Sequence, residues 1–441
     1  NISPSESQLN NLLELYQNGR YEEAEKLAVS ITQQFPEHPF GWKALGVVLA
    51  QTDRSSESLV AKQKVLHLTP QDAEAHSNLG NTLNDLGRFE EAEASLKQAI
   101  ALKPDFTQAH YNLGITLKEL GRLEEAEASY TKAIALKSDY AEAHCSLAVV
   151  LTELGRLAEG EVNYRQAILL DTNYLDAYNN LGGMLVEMGR LDEAKAIYKQ
   201  AMAIKPDHVE AIHNLSIVQA YMNDLNAAIH SLENILRLDA DNYGLRAGVL
   251  LAIYRFLESD FIGSKKYLLA ASAIQEELSR EFNAERVYQD FLLKILNWHE
   301  YKKNGTHSLN VEKTIYIVGE SHSLVGHQLH IERSDGNFLC KAKLIMGCKQ
   351  FHLGNSLRNQ YKNKFESIFL SLPKSSDILL TIGEIDCRLD SGIISYKSKF
   401  PKKEINEIII TTVEDYLAYI LKINSNCQHN IIIQGVPCPN I

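Results

Sequence analysis

Ser321 closes the tripeptide Gly319-Glu320-Ser321, directly after the apolar run Ile315-Tyr316-Ile317-Val318. A serine set between a buried strand and a helix carries its hydroxyl at a sheet rim. There the helix N-terminus and backbone N–H groups stabilise a developing oxyanion. Two more apolar runs end the same way. Asp377–Ile382 leads into Gly383-Glu384-Ile385-Asp386-Cys387-Arg388, and Asn430–Gln434 leads into Gly435-Val436-Pro437-Cys438-Pro439-Asn440. Glu384, Asp386 and Arg388 put two acids and a base on one strand-end loop, suited either to a sugar or anion or to ion pairs that hold the loop. His322, His327, His330, Cys340 and Cys348 match no compact metal-ligand spacing, so no metal and no cofactor are expected. The Gly-x-Ser turn has no Gly-rich loop or G-K-[ST] beside it to bind a nucleotide.

The three apolar runs read as strands, with helical stretches between them such as Glu404–Ile423. Strands joined by helical crossovers form a mainly parallel α/β sheet, with sites at the carboxyl ends of the strands. The three polar clusters are therefore expected to converge on one rim.

These residues resemble the SGNH hydrolases, a family of esterases, acyl hydrolases and acetyltransferases. The family's G-D-S block is matched by Gly319-Glu320-Ser321, with Glu for Asp. The resemblance implies a three-layer, flavodoxin-like α/β fold with Ser321 as nucleophile and its own N–H as an oxyanion donor. It also implies a glycine from a second block, Gly347 or Gly354. A further block, G-x-N-D, falls on Gly383-Glu384-Ile385-Asp386, where Ile replaces the Asn donor. The family's D-x-x-H, which supplies the base, has no match after Ile433. A serine without a base is a weak nucleophile, so the α/β part is expected to be incomplete and the chain inactive as it stands.

The first half is organised by a period of 34 residues. Asn-Leu-Gly recurs at 78–80, 112–114 and 180–182, with Ser146-Leu147-Ala148 at the intervening place. Gly-Arg followed by Phe or Leu recurs at 87, 121, 155 and 189, and Pro at 36, 70, 104 and 206. In a unit of two antiparallel helices, a small residue at the eighth place lets the helices touch. Gly at the fifteenth turns the chain after the first helix, and Pro near the thirty-second ends the second. Neither amphipathic helix buries its stripe alone, so the units must stack. Seven units fit between Ser5 and Asn242. Heptads interrupted by Gly and Pro at this period exclude a coiled coil.

The repeats closely resemble the tetratricopeptide repeat, including the aromatic residue or His at the fourth place: Trp42, His76, His110, His144 and Tyr178. The resemblance implies a right-handed solenoid whose concave face, lined by first helices, takes a protein or an extended peptide. It also implies that the sixth-place residues Asn78, Asn112, Asn180 and Asn214 grip peptide backbone amides, since a carboxamide both donates and accepts. Mostly acidic rows at the second place (Glu74, Gln108, Glu142, Asp176, Glu210) and thirteenth place (Asp85, Glu119, Glu153, Glu187) read either as a solvated face or as a lure for basic or polar partners.

Residues 243–301 keep helical patterning without the repeat signature and read as a degenerate unit with capping helices. Residues 302–312 read as a linker, and 313–441 as the α/β domain. The net charge of −12 is uneven: residues 302–441 hold 17 Lys/Arg against 13 Asp/Glu, so the acid excess lies in 1–301. An acidic repeat array argues against nucleic acid as a partner. No apolar run is long enough to span a membrane, and six scattered cysteines suit a reducing, cytoplasmic setting.

Overall fold

The structure is a computed structural model that describes residues 3–238, 241–275, 289, 292–297, 313–319, 330–333, 336–344, 359–381 and 405–433. Helices pair in chain order: α1 (Glu6–Gln17) with α2 (Tyr21–Gln34), α3 (Pro39–Gln51) with α4 (Ser55–Leu68), and α5 (Ala73–Asp85) with α6 (Phe89–Leu102). The series continues with α7 (Thr107–Glu119) and α8 (Leu123–Leu136), then α9 (Ala141–Glu153) and α10 (Leu157–Leu170). It runs on through α11 (Leu175–Glu187), α12 (Leu191–Ile204), α13 (Val209–Tyr221), α14 (Leu225–Arg237), α15 (Asp241–Leu257) and α16 (Phe261–Gln275). This is a helical solenoid. By its internal contacts the chain divides into two compact units, Asn1–Asn180 and Leu181–Ile441, with the division inside α11.

The repeating residues do the work their spacing implies. The residue that ends each first helix is left-handed: Gly87 has φ 69° and Gly121 72°. Asp53 (57°) and Asn223 (65°) take this conformation where the sequence has no Gly. At the eighth place Gly114 faces the ring of Tyr130, and a Cβ there would come within 3 Å of it. In four repeats the fourth-place side chain fastens the repeat to the one before. Trp42 Nε1 donates to the Pro36 carbonyl (2.9 Å), Tyr178 Oη to that of Thr172 (3.2 Å), and the Nε2 atoms of His76 and His110 lie 3.1 and 3.0 Å from the Pro70 and Pro104 carbonyls.

The repeated Arg has a role that the period alone does not reveal. In the first unit Arg54, Arg122 and Arg156 each grip the Glu three residues on and a second Glu 29 residues back, in the preceding repeat. Those acids are Glu25 for Arg54 (2.8 Å), Glu93 for Arg122 (2.8 Å) and Glu127 for Arg156 (2.7 Å). Leu59 stands where the acid would be for Arg88, which pairs with Glu91. The guanidinium ends of these pairs stay partly in water, so the pairs specify register between repeats more than they add stability.

In the second unit a five-stranded sheet has the order β2-β3-β1-β4-β5. The strands are β1 (Lys313–Gly319), β2 (His330–Arg333), β3 (Gly336–Leu344), β4 (Asp377–Thr381) and β5 (Asn430–Ile433). β3, β1, β4 and β5 run parallel, and β2 is antiparallel to β3 at one edge. Gly319 is paired with Thr381 and Leu380 with Ile433, so β1, β4 and β5 present their carboxyl ends side by side. Helices α17 (Gln360–Ser371) and α18 (Ile405–Cys427) cover the sheet. Phe365 and Phe369 of α17 stack at 4.4 Å in a core with Val318, Leu380, Tyr416 and Ile420. The β2–β3 hairpin was not among the three expected strands. Its strongest local sign was Asp335-Gly336, a turn dipeptide between two extended runs.

Candidate functional site

In the first unit a groove of about 580 Å³ crosses the first helices of the first three repeats. Leu9, Asn10, Leu13 and Tyr16 line it from α1, Phe40, Lys43 and Val47 from α3, and Glu74 and Asn78 from α5. These are repeat positions: Asn10 and Asn78 share the sixth place, and Leu13 and Val47 share the ninth. Leu12 and Val48 line its floor and, like Leu15, are buried in the core between the helices. Leu13 and Val47 line the same groove but remain 54% and 40% exposed. The groove therefore carries two exposed apolar side chains at repeat spacing together with the carboxamides of Asn10 and Asn78.

One polar edge is fixed in place. Lys43 Nζ lies 2.6 Å from Asp72 Oδ2, and Asp72 also caps α5 by accepting from the Glu74 and Ala75 amides at 3.0 and 3.2 Å. Burial pushes the Asp72 carboxyl up, but the hydrogen bonds from Lys43 and the two amides outweigh it and hold the group below its ordinary value.

The four sixth-place asparagines have different surroundings. Asn78 is exposed and lines the groove. Asn112 is buried, and its Oδ1 accepts from Gln108 Nε2 at 3.0 Å. Asn180 is exposed, with Nδ2 3.8 Å from Cys145 Sγ, and Asn214 is half-buried on α13. Tyrosines take over this face in the middle of the first unit. Tyr111 lies 5.0 Å from Tyr140, whose hydroxyl donates to Gln108 Oε1 at 3.0 Å. Burial, with smaller contributions from Tyr111 and Glu142, pushes the Tyr140 phenol up to about 12, so it stays a donor at neutral pH. Asn10, at the sixth place of the first unit, was not among the expected ligands, although it precedes Asn78 by two full periods.

A family profile described as TPR repeat matches residues 80–121 and 116–155, and one described as tetratricopeptide repeat matches 139–207 and 173–241. Residues 80–241 carry tetratricopeptide repeats. Among solved structures, the chain is similar to YrrB, described as a TPR protein with an unusual peptide-binding site. The two are 24% identical, over 41% of this chain and 94% of that one, with a TM-score of 0.35. A thermophilic TPR protein of Thermus thermophilus is 25% identical over 42% of this chain and all of its own, with a TM-score of 0.37. A tetratricopeptide repeat protein of Parabacteroides merdae is 15% identical over 53% of this chain and 92% of its own, with a TM-score of 0.44. No curated protein matches the sequence.

The groove lies before the matched tetratricopeptide segment, in helices that share its period and its left-handed turns at Gly19 and Asp53. The expected catalytic residues Ser321, Gly347, Gly383, Glu384, Asp386 and Arg388, with the alternative Gly354, lie outside the described residues. Cys340 is buried in β3, and burial pushes its thiol up. No group of His, Cys, Asp and Glu suited to a metal occurs among the described residues. Among the same residues no helix is long and apolar enough to cross a membrane.

Proposed function

We propose that this protein is an interaction scaffold whose tetratricopeptide face takes an extended peptide, seated in the groove over α1, α3 and α5. The observation that carries this reading is the pairing of outward-facing Leu13 and Val47 with Asn10 and Asn78 on the flanks. Carboxamides satisfy peptide N–H and C=O groups whatever the side chain, and the apolar floor rewards an apolar anchor residue. Peptides selected from a random library on the full chain would be titrated against Val47→Asp and Asn78→Ala variants. A loss of at least tenfold in affinity supports the groove. Unchanged affinity in both variants places the peptide elsewhere.

We further propose that the α/β part acts on ester-linked acyl groups through Ser321. Gly347 and Gly383 would form the oxyanion region, with Glu384, Asp386 and Arg388 on the rim. This reading is supported by the side-by-side carboxyl ends of β1, β4 and β5, since in sequence the Ser321 and Asp386 clusters follow directly on β1 and β4. In a form of the protein that supplies a D-x-x-H base, turnover of a chromogenic acetyl ester that disappears in Ser321→Ala is the expected result. Hydrolysis that survives the substitution removes Ser321 from the chemistry.

A further inference from the structure

Within the second unit a cavity of about 220 Å³ lies between the helices α13–α15 and the β3/α17 side of the sheet. Leu225, Leu250, Leu257 and Ile368 give it apolar walls, and Lys343 and Lys364 also line it. Lys364 is only 6% exposed. Its Nζ donates to the Ala220 carbonyl at the end of α13 and to Asn223 Oδ1 at 3.4 Å. An ammonium has three donors, and these bonds use two. No aspartate or glutamate is among the described residues that line the cavity.

Two cations on one half-enclosed apolar space are costly, because burial removes their water and each repels the other. Lys364 shows this: burial first, and then the charge of Lys343, pulls its ammonium down to about 8. Burial, with Lys341 adding to it, pulls Lys343 down as well. A carboxylate that accepted from both lysines would offset that cost, and the leucine walls would take its apolar body. At the roughly 30 Å³ that a small group occupies in a condensed phase, the cavity holds about seven non-hydrogen atoms.

We propose that this cavity binds a monocarboxylate with a compact apolar body, about the size of hexanoate, with its carboxylate between Lys343 and Lys364. No residue that lines it lines the peptide groove, and its test needs neither that groove nor Ser321.

Hexanoate would be titrated into the full chain by calorimetry, with hexanol and inorganic phosphate as comparison ligands. One-to-one binding of hexanoate is expected, with hexanol and phosphate each at least about tenfold weaker, since a hydrogen-bonded charge pair contributes about that much. Lys343→Gln and Lys364→Met should each weaken hexanoate at least about tenfold. Lys343→Arg, which keeps the charge, should bind within a few-fold of the wild type. Lys343→Gln keeps the assay meaningful if Lys364→Met unsettles the packing of α17. Phosphate as tight as hexanoate would mark a plain anion site and overturn the proposal. So would hexanol as tight as hexanoate, hexanoate binding indifferent to Lys343→Gln, or no binding of hexanoate at millimolar concentration.

Discussion

Lys364 of α17 hydrogen-bonds Asn223, the residue that takes the left-handed turn after α13 (3.4 Å, φ 65°). The residue before it on α17, Asn363, donates to the carbonyl of Gly189, which makes the same turn 34 residues earlier (φ 72°). Two adjacent side chains therefore read the equivalent corner of two successive repeats. Those corners expose helix-terminal carbonyls, the negative ends of α11 and α13, so an amide and an ammonium are suitable partners. Tyr361 adds an edge-on contact to Tyr221 at 6.4 Å. The helical repeats of the second unit and its sheet are joined through a feature that the repeat creates for its own reasons.

Gly189 should be harder to replace than its counterparts. In any left-handed position alanine costs about 1–2 kcal/mol. At Gly155 (φ 77°) nothing lies within 4 Å of an added Cβ, so Gly155→Ala should cost only that strain. At Gly189 the new Cβ would also meet the Asn363 amide and the Asn359 backbone. Denaturant unfolding should show Gly189→Ala losing more than Gly155→Ala, with the excess reduced in an Asn363→Ala background. Equal losses would mean that Asn363 does not rest on this turn.

Lys364 should make stability rise with pH. Burial lowers its ammonium from 10.5 to about 8 in the folded chain, so between those values the unfolded chain binds more protons. Stability then increases with pH across that window and is flat, for this group, below it. The full effect is about 3 kcal/mol at 1.36 kcal/mol per unit. Among the described residues, the other titratable groups on the cavity are Lys343 of β3, Tyr221 of α13 and Tyr254 of α15. Comparing wild type with Lys364→Met by denaturant unfolding from pH 7.5 to 10 isolates the term. The wild type should gain on the variant as pH rises, and a constant difference would show that Lys364 is solvated.

The period of 34 made the helical repeats legible because each recurring residue acts locally. A turn glycine, a small contact residue and a helix-ending proline need no knowledge of the rest of the chain. Asp53 and Asn223 were harder to see, since they take the left-handed turn without being glycine. The role of Arg122 was out of reach for another reason: its second partner, Glu93, lies 29 residues away, and only stacking of repeats brings the two together. The β2–β3 hairpin was missed because Lys341 and Lys343 alternate with Cys340 and Ala342, a pattern weaker than the apolar runs of β1 and β4. The groove was half legible. Asn78 was singled out by its repeat signature, whereas Leu13 and Val47 resemble core residues until they are seen to stay exposed beside the buried Leu12 and Val48.

The fourth repeat offers a gain. Pro36, Pro70 and Pro104 close the second helices of the first three repeats, and the matching place in the next is Ser138. There His144 turns away from the carbonyl that its counterparts His76 and His110 approach, and its Nδ1 lies 3.0 Å from Asn163 Oδ1. The backbone nevertheless already suits proline. Lys137, before Ser138, has φ −141° and ψ 94°, almost the same as Lys103 before Pro104 at −139° and 89°. Ser138→Pro should therefore stabilise the chain by about 0.4–1 kcal/mol, by restricting the unfolded state. Thermal unfolding of the single variant decides it. A lower midpoint would mean that the Ser138 amide is needed where it stands, or that His144 cannot keep its bond to Asn163 beside a proline.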